Sequence, residues 1–396
     1  MLSPAESEEF EMERTVIVNA NLVLENGILY DGILLIENGR IAGFGSEREV
    51  EIPAEAQLVD AQGAYVGPGF VDIHVHAGGG YSTCEEPVKA AEFFLRHGET
   101  SILATTDYHM DKKTLLDVIA TIKEGMKEAP TIKGIYMEGP YTNPKYGSHA
   151  DLNPWHCGVK EEDYIPFVDA GGKAIKVWAV GPEREDLLPF LEYAKKVNPD
   201  VVIACGHSEA TPMQIRALGK YRPTLMTHTM NATGRQQPEN GLRGYGPDEY
   251  CHKTPEMYAE LICDSCAIHV HPEMQQLLLY TKGVDKVVLV SDSTVYDNPV
   301  PEQYAHVTDL NFDHNGHIAG SKLTLDMACR NIMTHTNCGI AQAFLMASTN
   351  PARVLGMDEE IGSIAKGKVA DLVFVDDRFN VKKVMLAGEV CRFEEE

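Results

Sequence analysis

The chain has 396 residues, of which 44% are hydrophobic and 23% charged, an ordinary globular composition that excludes extensive disorder. Its formal net charge of −25 argues against nucleic-acid and anionic-membrane partners, because both would be repelled over most of the surface. No run approaches the ~20 consecutive apolar residues of a membrane helix, and the acidic residues 1–12 predict that no secretory signal is present. Nine scattered cysteines then predict reduced thiols and a cytoplasmic location.

Both ends of the chain have the sequence pattern of β-structure. Segments such as 15–19 and 369–376 are apolar or alternating, and they lie between turns rich in Gly and Asn. Each end is too short to form a hydrophobic core alone. We therefore predict that residues 12–67 and 357–396 pair with one another in a small β-sandwich domain.

Between these ends, short apolar strands alternate with amphipathic helices, the pattern of parallel βα units. Helices are predicted between most of the strands, for example at residues 113–126 and 186–196. The predicted strands are residues 70–76, 101–106, 134–138, 175–180, 201–207, 224–228, 261–269 and 286–292. Eight strands with intervening helices predict an α/β fold, a closed (β/α)8 TIM-like barrel, as the catalytic domain over residues 68–356.

Side chains of the types that bind metals end five of these eight predicted strands. Alone, each is more often a structural polar group, but active sites of such barrels form where the carboxyl ends of the strands meet. Four imidazoles and two carboxylates converging there suit zinc or ferrous iron. The predicted metal ligands are His74, His76, Glu138, His207, His228 and Asp292.

Asp292 is also the predicted general base and acid. A bound divalent metal acidifies water and polarises a carbonyl, and a neighbouring carboxylate can move the proton from that water to a leaving amine. The alternative is that Asp292 serves only as a sixth ligand.

Several motifs closely resemble those of the amidohydrolase superfamily and, within it, the N-acetylglucosamine-6-phosphate deacetylase family. The resemblance covers nearly the whole chain. Two stretches point to the deacetylase family: Met-Glu-Gly-Pro…Gly-Ser-His at residues 137–149 and Thr-His-Thr-Met-Asn-Ala at residues 227–232. The other matching stretches are residues 68–80, 206–211, 290–293, 350–356 and 362–373, of which the last two are specific to the superfamily only.

This resemblance implies a metal-dependent hydrolase that converts N-acetylglucosamine 6-phosphate to glucosamine 6-phosphate and acetate. It also implies that Glu138, His207 and His228 hold the principal metal ion. The His-x-His pair, His74 and His76, supplies a second metal site in some members of the family and is absent from others. Because this chain keeps the pair, one or two ions are allowed, with zinc as the first expectation.

The same resemblance assigns residues to the substrate. His149 is expected to steady the substrate carbonyl and the developing oxyanion. Asn231 and Ala232 are expected to contact the sugar or its phosphate, and His269 the sugar. The family also implies a homodimer.

Two substrate loops depart from the family pattern. The phosphate-binding Arg of the family, often supplied by the partner subunit, matches Arg235 here, with Arg243 second, but the spacing differs. The stretch before His269 is longer than usual. Both departures concern the phosphate and the identity of the sugar, and they leave the metal ligands intact.

Two other functions remain alternatives at this stage. A cyclic amide or a nucleobase is a possible substrate for an amidohydrolase in which a carboxylated Lys176 bridges two metals. A degenerate barrel kept as a binding module is the second alternative, but such a protein is expected to have lost metal ligands, and all six are present.

Overall fold

The computed structural model describes residues 14–235, 244–296 and 298–393. Within these ranges the strands are β1 (Arg14–Leu24), β2 (Gly27–Glu37), β3 (Arg40–Gly45), β4 (Gln57–Asp60), β5 (Tyr65–Pro68), β6 (Phe70–Val75), β7 (Ala77–Gly78), β8 (Tyr81–Ser82), β9 (Glu99–Thr106), β10 (Ile132–Glu138), β11 (Ile175–Val180), β12 (Val202–Cys205), β13 (Leu225–Met226), β14 (Tyr258–Ile262), β15 (Val287–Val290), β16 (Leu310–Phe312), β17 (Ile318–Ser321), β18 (Leu372–Val375), β19 (Val381–Leu386) and β20 (Glu389–Val390). The α-helices are α1 (Pro87–Arg96), α2 (Lys112–Glu128), α3 (Glu161–Gly171), α4 (Leu187–Val197), α5 (Pro212–Ala217), α6 (Pro247–Lys253), α7 (Pro272–Lys282), α8 (Leu325–Thr336), α9 (Ile340–Phe344) and α10 (Asn350–Val354).

The predicted α/β barrel is confirmed. Strands β6 and β9 to β15 are hydrogen-bonded as parallel neighbours in chain order, and they form one eight-stranded sheet. The sheet closes where β15 meets β6, because Asp292 N donates to His74 O and His76 N donates to Ser293 O, both at 2.9 Å. The Asp72 carboxylate is fully buried at this seam and accepts a hydrogen bond from His74 N.

Helix α2 illustrates how the outer layer forms. The Asp111 side chain caps its first turn by accepting a hydrogen bond from Thr114 N at 2.8 Å. The apolar residues Leu115, Ile119 and Ile122 recur at helical spacing and are buried against the barrel. The sequence prediction of a helix at residues 113–126 is confirmed, with the helix slightly longer at both ends.

The seventh barrel strand is shorter than predicted. The sequence predicted residues 261–269, whereas β14 begins at Tyr258 and ends at Ile262. The Asp264 carboxylate accepts hydrogen bonds from the backbone of Ile268 and His269, both at 2.8 Å, and so closes a turn. A buried carboxylate that captures backbone N–H groups competes with strand pairing, so the chain leaves the sheet here.

The two ends of the chain pair in a single sheet, as predicted. Its strand order is β20-β19-β18-β5-β1-β2-β3, and β4 adds to β1. The sheet curls, so that β3 at one edge lies beside the segment leading into β18. Ile41 N donates to Lys368 O and Ala370 N donates to Gly39 O, both at 2.9 Å. The sheet therefore encloses its own apolar core. The domain boundaries at residues 67 and 357 stay a prediction.

Three aromatic rings join this sheet to the barrel. The ring centroid of Phe344 lies 5.4 Å from that of Phe70 and 5.2 Å from that of Phe379, and all three side chains are buried. Gly67 leaves the space that the ring needs, since a Cβ there would lie 2.3 Å from Phe344 Cε1.

In the described part of the chain, no helix has the length and apolar character to cross a bilayer.

We predict that Phe344→Ala destabilises the protein by ~3–5 kcal/mol, because it removes a fully buried ring and leaves a cavity between the sheet and the barrel. The measurement is chemical denaturation followed by circular dichroism. Tyr280→Ala is the matched control, since Tyr280 is 89% exposed and its truncation is expected to change stability by at most ~0.5 kcal/mol. Equal effects of the two substitutions would contradict the packing role of Phe344.

Candidate metal centre

The predicted ligands lie at the carboxyl ends of the barrel strands. Glu138 is the last residue of β10, and His207, His228 and Asp292 each lie two residues beyond the end of β12, β13 and β15. These last three residues have positive φ angles of 47°, 23° and 46°. A positive φ is unusual for residues other than glycine and is often retained at functional sites. The same local distortion therefore turns three different side chains toward the barrel axis.

The ligand atoms form two adjacent groups. His74, His76 and Asp292 form one, and Glu138, His207 and His228 form the other; within each group the ligand atoms lie within 4.8 Å of one another. Glu138 lies between the groups, because its Oε1 is 2.9 Å from His228 Nε2 and its Oε2 is 3.4 Å from His76 Nε2. A single carboxylate thus contacts both groups.

Hydrogen bonding on the far side of the imidazoles shows whether these groups suit a cation. His207 Nδ1 lies 3.1 Å from the carbonyl oxygen of Tyr146, so it is the protonated nitrogen and Nε2 carries the lone pair. His207 Nε2 nevertheless lies 3.1 Å from His228 Nε2. His74 Nε2 is buried and has no hydrogen-bond partner among the described residues. Nitrogen lone pairs that converge with carboxylates in this way fit a divalent cation such as zinc or ferrous iron.

Both carboxylates of the centre are held ionised. Burial raises the pKa of Asp292, but its contacts with His76 and His74 lower it by more, so the net shift is downward. Burial likewise opposes ionisation of Glu138, and contacts with His207 and His228 lower its pKa well below the usual range. Each carboxylate is therefore available as an anionic ligand.

A cavity of about 290 Å³ opens above the two groups. This volume is near the lower end of ligand pockets (~300–1,000 Å³) and suits a single small ring better than an extended chain. Of the residues that the sequence assigned to the substrate, Asn231, Ala232 and His269 line this cavity. His76, Glu138, His207, His228 and Asp292 also line it, so ligands and substrate candidates share one space.

Two predicted substrate residues, His149 and Arg235, do not line the cavity. The His149 ring packs 4.9 Å from that of Tyr296, which does line it. Burial lowers the pKa of His149, and the nearby His109 lowers it further, so the imidazole is neutral near pH 7. Arg235 lies in an adjacent groove that shares His269 with the cavity.

Arg235 Nε is 3.3 Å from Glu249 Oε1, and the Arg235 side chain is 42% exposed. Arg243 lies outside the described residues. Lys176, the alternative metal bridge, is the second residue of β11 and therefore lies toward the opposite end of the barrel. It does not line the cavity.

Sequence reasoning missed two acidic residues of this centre. Asp107 directly follows β9, at the same end of the barrel as the ligands, and lines the cavity. Glu260 lies inside β14, where its neighbours are apolar and buried. Each carried a usable signal, since Asp107 is a carboxylate at a strand end and Glu260 is an acidic residue between apolar residues of a strand.

Comparison with known proteins adds a family and a substrate class. The sequence model described as the amidohydrolase family matches residues 65–391. N-acetylglucosamine-6-phosphate deacetylase of Vibrio furnissii is 30% identical over 82% of this chain and 82% of its own. N-acetylgalactosamine-6-phosphate deacetylase of Escherichia coli O157:H7 is 28% identical over 94% of this chain and 98% of its own. The solved structure of a mutant N-acetyl-D-glucosamine-6-phosphate deacetylase from Mycobacterium smegmatis, in complex with N-acetyl-D-glucosamine 6-phosphate, has a TM-score of 0.79 and 26% identity. The match covers 96% of this chain and 99% of that one.

We predict that His207→Ala loses most of its bound metal after dialysis, because His207 Nε2 lies among the Glu138 and His228 ligand atoms. Metal content is measured by plasma mass spectrometry on the purified protein. His306→Ala is the control, since His306 is exposed and lies outside both ligand groups. Full metal content in the His207 variant would refute its assignment as a ligand.

Proposed function

The chain belongs to the amidohydrolase family, and from that premise we propose that it hydrolyses the acetamide of an N-acetylated hexosamine 6-phosphate. N-acetylglucosamine 6-phosphate is the first candidate, and the products are then glucosamine 6-phosphate and acetate. The observation that carries the proposal is the position of Asp292. Its carboxylate lies against His74 and His76 and also faces the cavity in which Asn231 and His269 are exposed.

Glu138, His207 and His228 would hold the principal ion, and His74 and His76 a second. When bound, a divalent cation polarises an amide carbonyl and makes water more acidic. Zinc is our first candidate, because the site is rich in imidazole nitrogen.

Asp292 is the group we assign to proton transfer. Its side chain is 12% exposed, which is enough to reach a molecule in the cavity. Because its pKa is held below the usual range, the carboxylate is ionised and can accept a proton from the attacking water. The same oxygen then returns that proton to the leaving nitrogen, so the amine departs neutral.

His149 is proposed to donate a hydrogen bond to the substrate carbonyl oxygen. A neutral imidazole has one N–H to give, and the lowered pKa of His149 keeps the ring neutral near pH 7. Its ring lies against Tyr296, at the wall of the cavity, so the contact requires a movement of this ring or of the segment after Ser148.

The sugar is proposed to bind between Asn231, Ala232 and His269. His269 Nδ1 lies 3.1 Å from Asp264 Oδ2, which fixes the ring and leaves the Nε2 lone pair to accept a hydrogen bond from a ligand hydroxyl. The phosphate needs a cation as well, and among the described residues lining the cavity none is Lys or Arg. We propose that Arg235 supplies it from the adjacent groove after leaving Glu249.

We also propose a homodimer in the cytoplasm. All nine cysteines are free thiols, which suits a reducing compartment. The dimer rests on the resemblance to the deacetylase family, and light scattering on the purified protein tests it.

We predict that Asp292→Asn retains its fold but loses roughly 10²–10⁴ in kcat, because an amide cannot accept the proton. The assay follows acetate release from N-acetylglucosamine 6-phosphate. The matched control is Asp285→Asn, an exposed aspartate just before β15, at the opposite end of the same strand. A loss of only a few-fold in the Asp292 variant would make Asp292 a ligand without a role in proton transfer.

The substrate is tested with N-acetylglucosamine 6-phosphate, its galacto epimer and unphosphorylated N-acetylglucosamine. We expect a strong preference for the phosphorylated sugars, and Arg235→Ala should raise their KM about tenfold or more while kcat changes little. Arg222→Ala is the control, because Arg222 is an exposed arginine just before β13, away from the cavity. No preference for phosphate in the wild type would refute the phosphosugar substrate, and an unchanged KM in the variant would remove Arg235 from its recognition.

A further inference from the structure

Two carboxylates, the buried Glu260 and the partly buried Asp107, lie behind the imidazoles of the His-x-His pair. His74 Nδ1 is 3.0 Å from Glu260 Oε2, and neither side chain is exposed to solvent. His76 Nδ1 is 2.9 Å from Asp107 Oδ1, with His76 8% and Asp107 21% exposed. His74 Nδ1 makes a hydrogen bond with Glu260 and is therefore the protonated nitrogen, which leaves the Nε2 lone pair on the side of Glu138 and Asp292. His76 Nδ1 is close enough to Asp107 for an ion pair, but the contact lacks hydrogen-bond geometry among the described residues.

The other ligand group has no such carboxylates. His207 Nδ1 lies against a neutral backbone carbonyl, that of Tyr146. His228 Nδ1 is buried without a hydrogen-bond partner in the described ranges. The two halves of the centre thus differ in charge: one is backed by two anions and the other by none. Anions behind an imidazole increase its basicity and fix its orientation as a ligand.

These extra carboxylates also change the charge that the centre must neutralise. Glu138 and Asp292 already place two anions among the ligands, and Asp107 and Glu260 add two more at the next layer. Buried anions are stable only when they are paired with a cation or are hydrogen-bonded. One divalent ion neutralises two of the four charges, whereas two divalent ions neutralise all of them.

We propose that Asp107 and Glu260 are positioning residues that determine occupancy of the His74–His76–Asp292 subsite. Glu260 holds the His74 ring with Nδ1 protonated, and both carboxylates add negative charge behind the imidazoles. The inference rests on the metal centre proposed above and does not depend on the identity of the sugar. The Glu138–His207–His228 subsite is independent of these two carboxylates, apart from a backbone hydrogen bond from His228 N to Glu260 Oε2 at 2.9 Å.

The geometry of Glu260 makes a conservative substitution possible. Both of its contacts, with His74 Nδ1 and with His228 N, are made by Oε2, while Oε1 is buried with no hydrogen-bond partner among the described residues. A glutamine that presents its carbonyl oxygen at the Oε2 position keeps both hydrogen bonds and removes only the charge. Asp107→Asn makes the equivalent change at a partly exposed position, where folding is less at risk.

The test is titration of metal-free protein with Zn²⁺ by isothermal calorimetry, with bound metal counted after dialysis. Wild type is expected to bind two ions per chain. Glu260→Gln and Asp107→Asn should each weaken the second ion 10–100-fold while changing the affinity for the first less than ~3-fold. Retained binding of the first ion also shows that the variant is folded, since a merely structural defect would weaken both.

Asp264→Asn is the matched control, because Asp264 also pairs with a histidine Nδ1 in the cavity wall, but that histidine, His269, is outside both ligand groups. It should leave both zinc affinities unchanged. If Glu260→Gln does not fold, the comparison of Asp107→Asn with wild type tests the proposal by itself. Wild type that binds one ion, or variants that bind two ions as wild type does or lose both equally, would overturn the proposal. Acetate release by the wild type is assayed separately, so failure of this inference and failure of the deacetylase function are distinguishable.

Discussion

The Glu138 carboxylate contacts all four imidazoles of the centre, and much of the surrounding structure holds it in that position. His228 Nε2 and His207 Nε2 lie 2.9 and 3.0 Å from its Oε1, with His74 Nε2 at 3.6 Å. His76 Nε2 lies 3.4 Å from Oε2. A 4% exposed carboxylate among four rings is unfavourable unless positive charge is close to it. A divalent cation held by these residues would supply that charge, and the packing therefore favours a metal at this position.

Hydrogen bonds from the surrounding loops stabilise the strained backbone conformations of the candidate ligands. His207, with its positive φ, has its carbonyl oxygen bonded by Asn143 N at 2.7 Å, and the carbonyl oxygen of Asp292 accepts from Ser321 N at 2.8 Å. The backbone N–H of His228 is held by Glu260. Strained conformations of this kind cost ~1–3 kcal/mol each and persist when surrounding contacts fix them. The loops are therefore part of the site, and they also supply four of the six candidate ligands, since His76, His207, His228 and Asp292 lie beyond the strand ends.

The electrostatics of the cavity differ from those expected for a phosphate-binding pocket. The whole chain carries a formal charge of −25, and Asp107 adds an acidic group to the cavity wall. A metal held by the centre would offset part of this negative potential, and the proposed movement of Arg235 would offset it at the sugar. If the substrate is the proposed phosphosugar, metal occupancy and phosphate recognition are coupled through charge, because a metal-free centre would leave Glu138 and Asp292 repelling the anion.

The strand periodicity and the residues at the strand ends were enough to predict the barrel, the pairing of the β-rich termini with one another, and the convergence of six metal-binding types of side chain. Their role as ligands stays a prediction. Those features depend on patterns that are local in the chain, since parallel strands bring their carboxyl ends together whatever connects them. The predicted end of β14 was wrong because the Asp264 side chain accepts a hydrogen bond from the backbone N–H of His269, five residues further along the chain. The positions of His149 and Arg235 depend on loop conformations, which the periodicity of the sequence does not specify. Asp107 and Glu260 acquire a role only through partners 31 and 186 positions away in the sequence. Tertiary structure alone decides which carboxylate lies behind which imidazole, because a hydrogen bond requires atoms within about 3 Å and only packing brings such distant residues that close.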